Sequence, residues 1–162
     1  MAAYGSRRHG IQEPRRKVVL VCEGKATEIN YFNGFKTRQS PVQIIPVHGK
    51  CTDPINIVDF AKRQLRDEDL NIKEGDGLWC VFDVDSNPED SLSKAKDIAD
   101  KHNIRIALSN PCIELWFILH FQDFCSYIER DEAKRKMKCH IPRYEESLNI
   151  NEPPRSKLRG IW

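Results

Sequence analysis

The chain has 162 residues, 40% of them apolar and 31% charged, with a formal net charge of +2. That composition suits one domain with a real core and excludes a disordered polyelectrolyte. No run approaches the roughly 18 apolar residues of a membrane helix, and the N-terminal arginines precede no apolar segment, so neither a membrane span nor a secretory signal is expected. The charge is unevenly spread. Residues 1–17 carry five Lys/Arg against one acid, residues 18–129 carry twelve against eighteen, and residues 130–162 carry nine against five. An acidic middle between basic flanks suits a metal-centred core with arms for a phosphate backbone. Six cysteines at 22, 51, 80, 112, 125 and 139 form no C-x-x-C pair. They predict free thiols in a reducing cytoplasm, and Cys139-His140 beside Cys125 matches no zinc spacing.

Residues 1–16, with Gly5, Gly10, Pro14 and four arginines, show no hydrophobic period and read as a flexible basic lead. Lys17 to Cys22 is a continuous branched run, a strand buried on both faces, ended by Glu23-Gly24. Thr27 is the expected cap of a helix through Lys36, with Ile29, Phe32 and Phe35 at helical spacing. Val42 to Val47 is a second strand. Pro46 cannot donate to a ladder and marks an edge or a strand end. Thr52-Asp53-Pro54 opens a helix to about Leu70, with Pro54 at its first position.

The Gly75-Asp76-Gly77 turn leads into Leu78-Trp79-Cys80-Val81-Phe82-Asp83, a third buried strand. Asn87 is the expected cap of a helix from Pro88 to His102. Ile104 to Ser109 is a fourth strand. Asn110-Pro111 is expected to cap a helix through Phe121, apolar nearly all round and therefore buried. Asp131 to His140 reads as a basic, exposed helix. Strand and helix alternate, so the expected fold is α/β: a Rossmann-like parallel sheet of about four strands, helices on both faces, and further helices at the C-terminal end.

Asp83 and Asp85 are spaced i, i+2 at the end of a strand, which points both side chains to one face. Carboxylates so placed repel, and burial would raise a pKa or demand a cation. A hard divalent ion with oxygen ligands resolves the conflict. In open parallel sheets ligands collect at the carboxyl ends of strands, and Glu23, Asp83, Asp85 and Asn110 all fall there. Gly24 permits close backbone approach, and helix starts at Thr27 and Asn87 would supply N–H donors to phosphate. An ordinary polar strand end accounts for Asp85, Ser86 and Asn87 as well, until Glu23 is counted with them.

Glu23-Gly24 after the first strand, with Asp83-Val84-Asp85 after a later one, resembles the Toprim signature of topoisomerases, bacterial primases and related nucleases. Three longer blocks resemble the RloB-like family more specifically. They are Val21 to Glu28 with Asn30-Tyr31-Phe32, Trp79 to Asp85, and Ser109 to Trp116 continuing through His120-Phe121. The resemblance covers residues 17–121 and implies a Toprim-like RloB domain over 17–144. It implies Glu23 at the acid/base position and Asp83 and Asp85, with Glu23, as ligands of Mg²⁺ (or Mn²⁺). Gly24, Lys25, Asn110 and Glu114 become candidate supporting or substrate-contacting residues; Asn110 and Glu114, four apart, would share one face of the helix start. His120 reads as a satisfied core histidine. Such families are bacterial or archaeal, lie near restriction–modification loci and are linked to phage defence. They continue into further C-terminal structure, whereas residues 145–162 here read as an irregular tail, for which truncation or a frame shift is the hypothesis.

The expected function is therefore a Mg²⁺-dependent phosphodiester hydrolase, a Toprim-type nuclease acting on nucleic acid, with a partner ATPase or restriction component as a further expectation. The alternative is a non-catalytic Toprim-like module that binds nucleic acid or such a partner. A haloacid-dehalogenase-type phosphatase puts its acidic pair on the first strand, and a glycosyltransferase D-x-D leaves Glu23-Gly24 unexplained; both fit less well.

Overall fold

The computed structural model describes residues 14–84, 87–142 and 144. Asp85 and Ser86 lie outside the described residues, as do most of the expected lead and the whole expected tail. The branched run at the start of the domain forms strand β1, Arg16–Cys22. Helix α1 (Thr27–Asn33) leads to β2 (Val42–His48), and α2 (Pro54–Asp67) leads to β3 (Gly77–Asp83). Helix α3 (Glu89–Lys101), β4 (Arg105–Ser109), α4 (Ile113–Ile118) and α5 (Arg130–His140) follow. The four strands pair in parallel in the order β2-β1-β3-β4. Val18 lies opposite Gly77 and Cys22 opposite Val81, while Pro46 sits on the edge strand opposite Leu20. This is the expected Rossmann-like α/β sheet.

Strand alternation divides the core. Val19, Val21, Leu78, Cys80 and Phe82 face α2 and α3, where they meet Ile57, Val58, Ala61, Ala95 and Ala99. Leu20, Cys22 and Val81 face the other way and are covered by Ile29 and Phe32 of α1. Outside α1 a second cluster joins Tyr31 to Ile113, Phe117 and Ile118 of α4, Ala133 and Met137 of α5, and Tyr144. Burial of these side chains is the main stabilising term, at about 25 cal/mol per Å² of apolar surface removed from water. Helices therefore cover both faces, with α4 and α5 stacked beyond α1.

Local chemistry explains most element ends. Asp53 accepts a hydrogen bond from the Asn56 N–H at 3.1 Å and Pro54 occupies the first turn, as the sequence predicts. Helix α2 stops at Asp67, short of Leu70, because Asp69 enters the left-handed region at φ +48°. The short helical turn Ile72–Glu74 closes on Gly75 at φ +101°, a conformation that costs a side chain most. Asp76 then accepts from Lys17 N–H at 2.7 Å and Asn71 N–H at 2.8 Å, which ties this turn to the start of β1.

Several expected caps are not caps. Thr27 is already helical, and Ala26 precedes α1 without a side-chain cap. Asn87 does not cap α3; its amide donates to the Asp83 carbonyl at 2.8 Å and leaves Pro88 at the helix start. Helix α4 begins after Cys112 and ends at Ile118, so Asn110 lies outside it. Nor is the apolar run buried all round: Trp116 in α4 is 46% exposed and Leu119 just beyond it 42%, since α1 and α5 pack on one side of so short a helix. Helix α5 is exposed on its basic face but buries Ala133 and Met137. Among the described residues, no helix is long and apolar enough to cross a membrane.

Candidate functional site

The chain leaves β1 toward β2 and leaves β3 toward β4, on opposite sides of the sheet. The carboxyl ends of β1 and β3 are thus adjacent where the winding reverses, the place where such sheets bind ligands. The ladder runs one residue past each strand. Glu23 N–H donates to the Val81 carbonyl at 3.0 Å, and Val84 N–H to the Ser109 carbonyl at 2.9 Å. Glu23 and Asp83 therefore meet, and the Asp83 N–H donates to Glu23 Oε2 at 3.3 Å. Two residues 60 positions apart are placed together by strand pairing alone.

Two further carboxylates join them. Glu28, in the first turn of α1, is buried and its Oε1 accepts from the Gly24 N–H at 3.2 Å. Gly24 is required here for space. A Cβ at that position would lie 2.0 Å from Glu28 Oε2. Glu114, at the start of α4, is only 2% exposed; its Oε1 accepts from the Tyr144 hydroxyl at 2.9 Å, and its buried Oε2 has no hydrogen-bond partner among the described residues. An orphaned, buried carboxylate oxygen is costly unless something else satisfies it.

These acids act on one another. Asp83 is 8% exposed and its carboxyl is pushed up to about 8. Burial is the main cause, followed by the charge of Glu28; the Arg130 guanidinium opposes the rise, while Glu114 and Glu23 add to it. Arg130, at the first residue of α5, approaches Asp83 Oδ2 at 3.6 Å. Glu28 is raised by burial, and by Glu23 and Glu114 against the pull of its backbone hydrogen bonds. The Cys112 thiol is pushed up to about 12 by burial and then by the Glu114 carboxylate beside it. Burial alone holds Cys80 at about 12. These thiols are protonated at neutral pH and are not nucleophiles. No disulfide joins any of the six cysteines.

Of the residues the sequence singles out, Glu23, Gly24, Asp83 and Glu114 converge. Asp85 lies outside the described residues. Lys25 and Asn110 are exposed, and Asn110 shares no helix face with Glu114 because α4 begins beyond it. His120 is a satisfied core histidine: its Nε2 lies 2.8 Å from the Tyr31 hydroxyl, which also accepts from Trp116 Nε1 at 2.6 Å. Sequence reasoning missed Glu28, Arg130 and Tyr144. Glu28 had a signal, since a carboxylate four residues after Gly24 can return to its N–H, but it is equally an ordinary first-turn acid. Arg130 and Tyr144 had none.

Carboxylate oxygens are the donors that a hard divalent cation takes. Four mutually repelling carboxylates, one with an unpartnered buried oxygen, provide only oxygen ligands. Among the described residues no group of three or more His, Cys, Asp or Glu side chains is placed to hold a metal ion, and Asp85 is not among those residues.

A family model described as RloB-like protein matches residues 18–159, from β1 to beyond α5. The chain belongs to the RloB-like family. No curated protein and no solved structure matches it.

Proposed function

We propose that this RloB-like protein is a metal-dependent phosphodiester hydrolase, a Toprim-type nuclease, with Glu23, Asp83 and Asp85 at its centre. The observation that carries the reading is the convergence of Glu23 and Asp83 with buried Glu28 and Glu114 at the point where the sheet's winding reverses. A binding module gains nothing from like charges buried together, since their repulsion opposes folding. A site that recruits Mg²⁺ or Mn²⁺ does.

Asp83 and Asp85 are the proposed metal ligands, with Glu23 either completing the set or exchanging a proton with the attacking water. A divalent ion bound there would polarise a phosphoryl oxygen and lower the pKa of water. The Asp83 N–H donates to one carboxylate oxygen of Glu23 and so orients the side chain for its role. Glu28 and Glu114 add negative charge to the cation site, and the Asn87 amide steadies the Asp83 backbone. The setting in bacterial or archaeal phage defence and a partner ATPase or restriction component rest on the family resemblance, and the cytoplasmic location rests on the unpaired cysteine spacing.

The test is cleavage of labelled single- and double-stranded DNA and RNA with Mg²⁺, Mn²⁺ or EDTA. Wild type is compared with Glu23→Ala and with Asp83→Ala/Asp85→Ala. Metal-dependent cleavage lost in both variants is expected, and the substrate cut identifies the polymer. No cleavage of any substrate, with nucleic-acid binding unaffected by either change, would refute the enzyme reading and leave a binding module.

A further inference from the structure

The acidic site alone repels a polyanionic substrate, so something adjacent must attract it. Helix α5 carries five Lys/Arg against Asp131 and Glu132, and its first residue reaches Asp83 at 3.6 Å. Within α5, Arg130, Lys134 and Lys138 recur at i, i+4 and i+8. Residues four apart are neighbours on one helix face, at about 1.5 Å of rise per residue. The three cations therefore form a row beginning at the acidic site and running outward along α5.

The row flanks the buried side of the helix. Ala133 and Met137 fix that side against α4, while Arg130 and Lys134 are half-buried and Lys138 is exposed. The other cations of α5 stand elsewhere. Lys136 lies over the Phe124 ring at 4.8 Å, and Arg135 is exposed away from the row. Within α5, Asp131 stands three residues before Lys134, and the helix nevertheless keeps a net positive charge.

We propose that Arg130, Lys134 and Lys138 form the track that holds the phosphate backbone of a nucleic-acid strand and leads it to the acidic site. The inference rests on the reading of that site as acting on nucleic acid. Arg130 is the junction. Its guanidinium lies 3.6 Å from Asp83 Oδ2, its position in the helix begins the i, i+4, i+8 row, and its planar fork suits a phosphate. Lys134 and Lys138 then supply positive charge to successive phosphates, without reading bases.

The experiment measures binding of short fluorescein-labelled DNA and RNA strands by anisotropy, in EDTA, across a range of salt. Wild type is compared with Arg130→Gln, with Lys134→Gln/Lys138→Gln, and with Lys62→Gln/Lys96→Gln. The last pair removes the same charge from α2 and α3, on the opposite face of the sheet. The lysine-row pair is expected to weaken binding about tenfold and to flatten the slope of log affinity against log salt by roughly 1.4, the value for two lost phosphate contacts on a single strand. Arg130→Gln should act in the same direction, and the control pair should stay close to wild type. Equal losses in the row and control pairs would mean general charge and overturn the track, as would no loss in the row pair. EDTA suppresses cleavage in this measurement, and cleavage is read in the separate assay of the proposed function. A chain that binds through this row yet cuts nothing upholds the track and fails the nuclease reading; a nuclease indifferent to the row does the reverse.

Discussion

Asp83 carries the conflict that defines this protein. Its proton is held more tightly in the folded chain than in the unfolded one, because burial and neighbouring acids disfavour the carboxylate. Between the ordinary aspartate range and about 8, the folded state keeps a proton that the unfolded state has lost. The stability associated with Asp83 is therefore fully present at acid pH and is lost as pH rises through that window. Glu28 is shifted in the same direction. His120, lowered by burial, works oppositely at the acid end, so the contribution of Asp83 is best isolated by difference. In metal-free buffer, the melting temperature of Asp83→Asn minus that of wild type should be larger at about pH 8.5 than at about pH 5. Thermal melts across that range check the sign. Added Mg²⁺ should raise the wild-type value at the higher pH and leave the variant unmoved.

At the scale of elements, the turn from β1 into α1 sets where a carboxylate stands. Gly24 has space only for hydrogen because the carboxylate of Glu28 folds back against it. Gly24→Ala must drive that carboxylate away. The displaced atoms are the end of a flexible side chain, so the cost to stability is expected to be about 1 kcal/mol or less. The effect on the proposed cation site should be much greater, since moving an acid that supports such a site typically costs about 10–100-fold in affinity or activity. Calorimetric Mn²⁺ titration beside denaturant unfolding separates the two. A large loss of stability with unchanged Mn²⁺ binding would contradict this account. Element ends also show where local signals failed. Asn87 and Thr27 are good cap residues by type, but Asn87 serves the Asp83 carbonyl and Thr27 lies one position inside its helix.

On the scale of the whole molecule, the site exists because two strands separated by α1, β2 and α2 become neighbours in the sheet. Glu23 and Asp83 then form one unit, and their removal should not add. The loss of cleavage rate in Glu23→Ala/Asp83→Ala should match that of the worse single variant, as for other groups that act jointly. Single-turnover rates for the three variants check this. Losses that multiply would mean that the two residues act independently.

The sequence by itself determined the elements and the fold class. Branched runs ended by Glu23, Asp83 and Ser109, alternating with segments of helical period, leave little besides a parallel α/β sheet. Pro46 restricted β2 to an edge or a strand end, and Asp53-Pro54 marked the start of α2. Acid at two strand ends was enough to nominate Glu23 and Asp83, since strand ends and sheet edges are local properties of a chain. Tertiary structure decided the rest. The pairing of β1 with β3 makes those strand ends adjacent, and the stacking of α4 and α5 beyond α1 brings Glu114, Arg130 and Tyr144 to them. No local pattern could reveal that α4 exposes Trp116 or that Glu28 is buried among acids. Burial and charge coupling depend on what packs from distant parts of the chain, and that is a property of the folded arrangement.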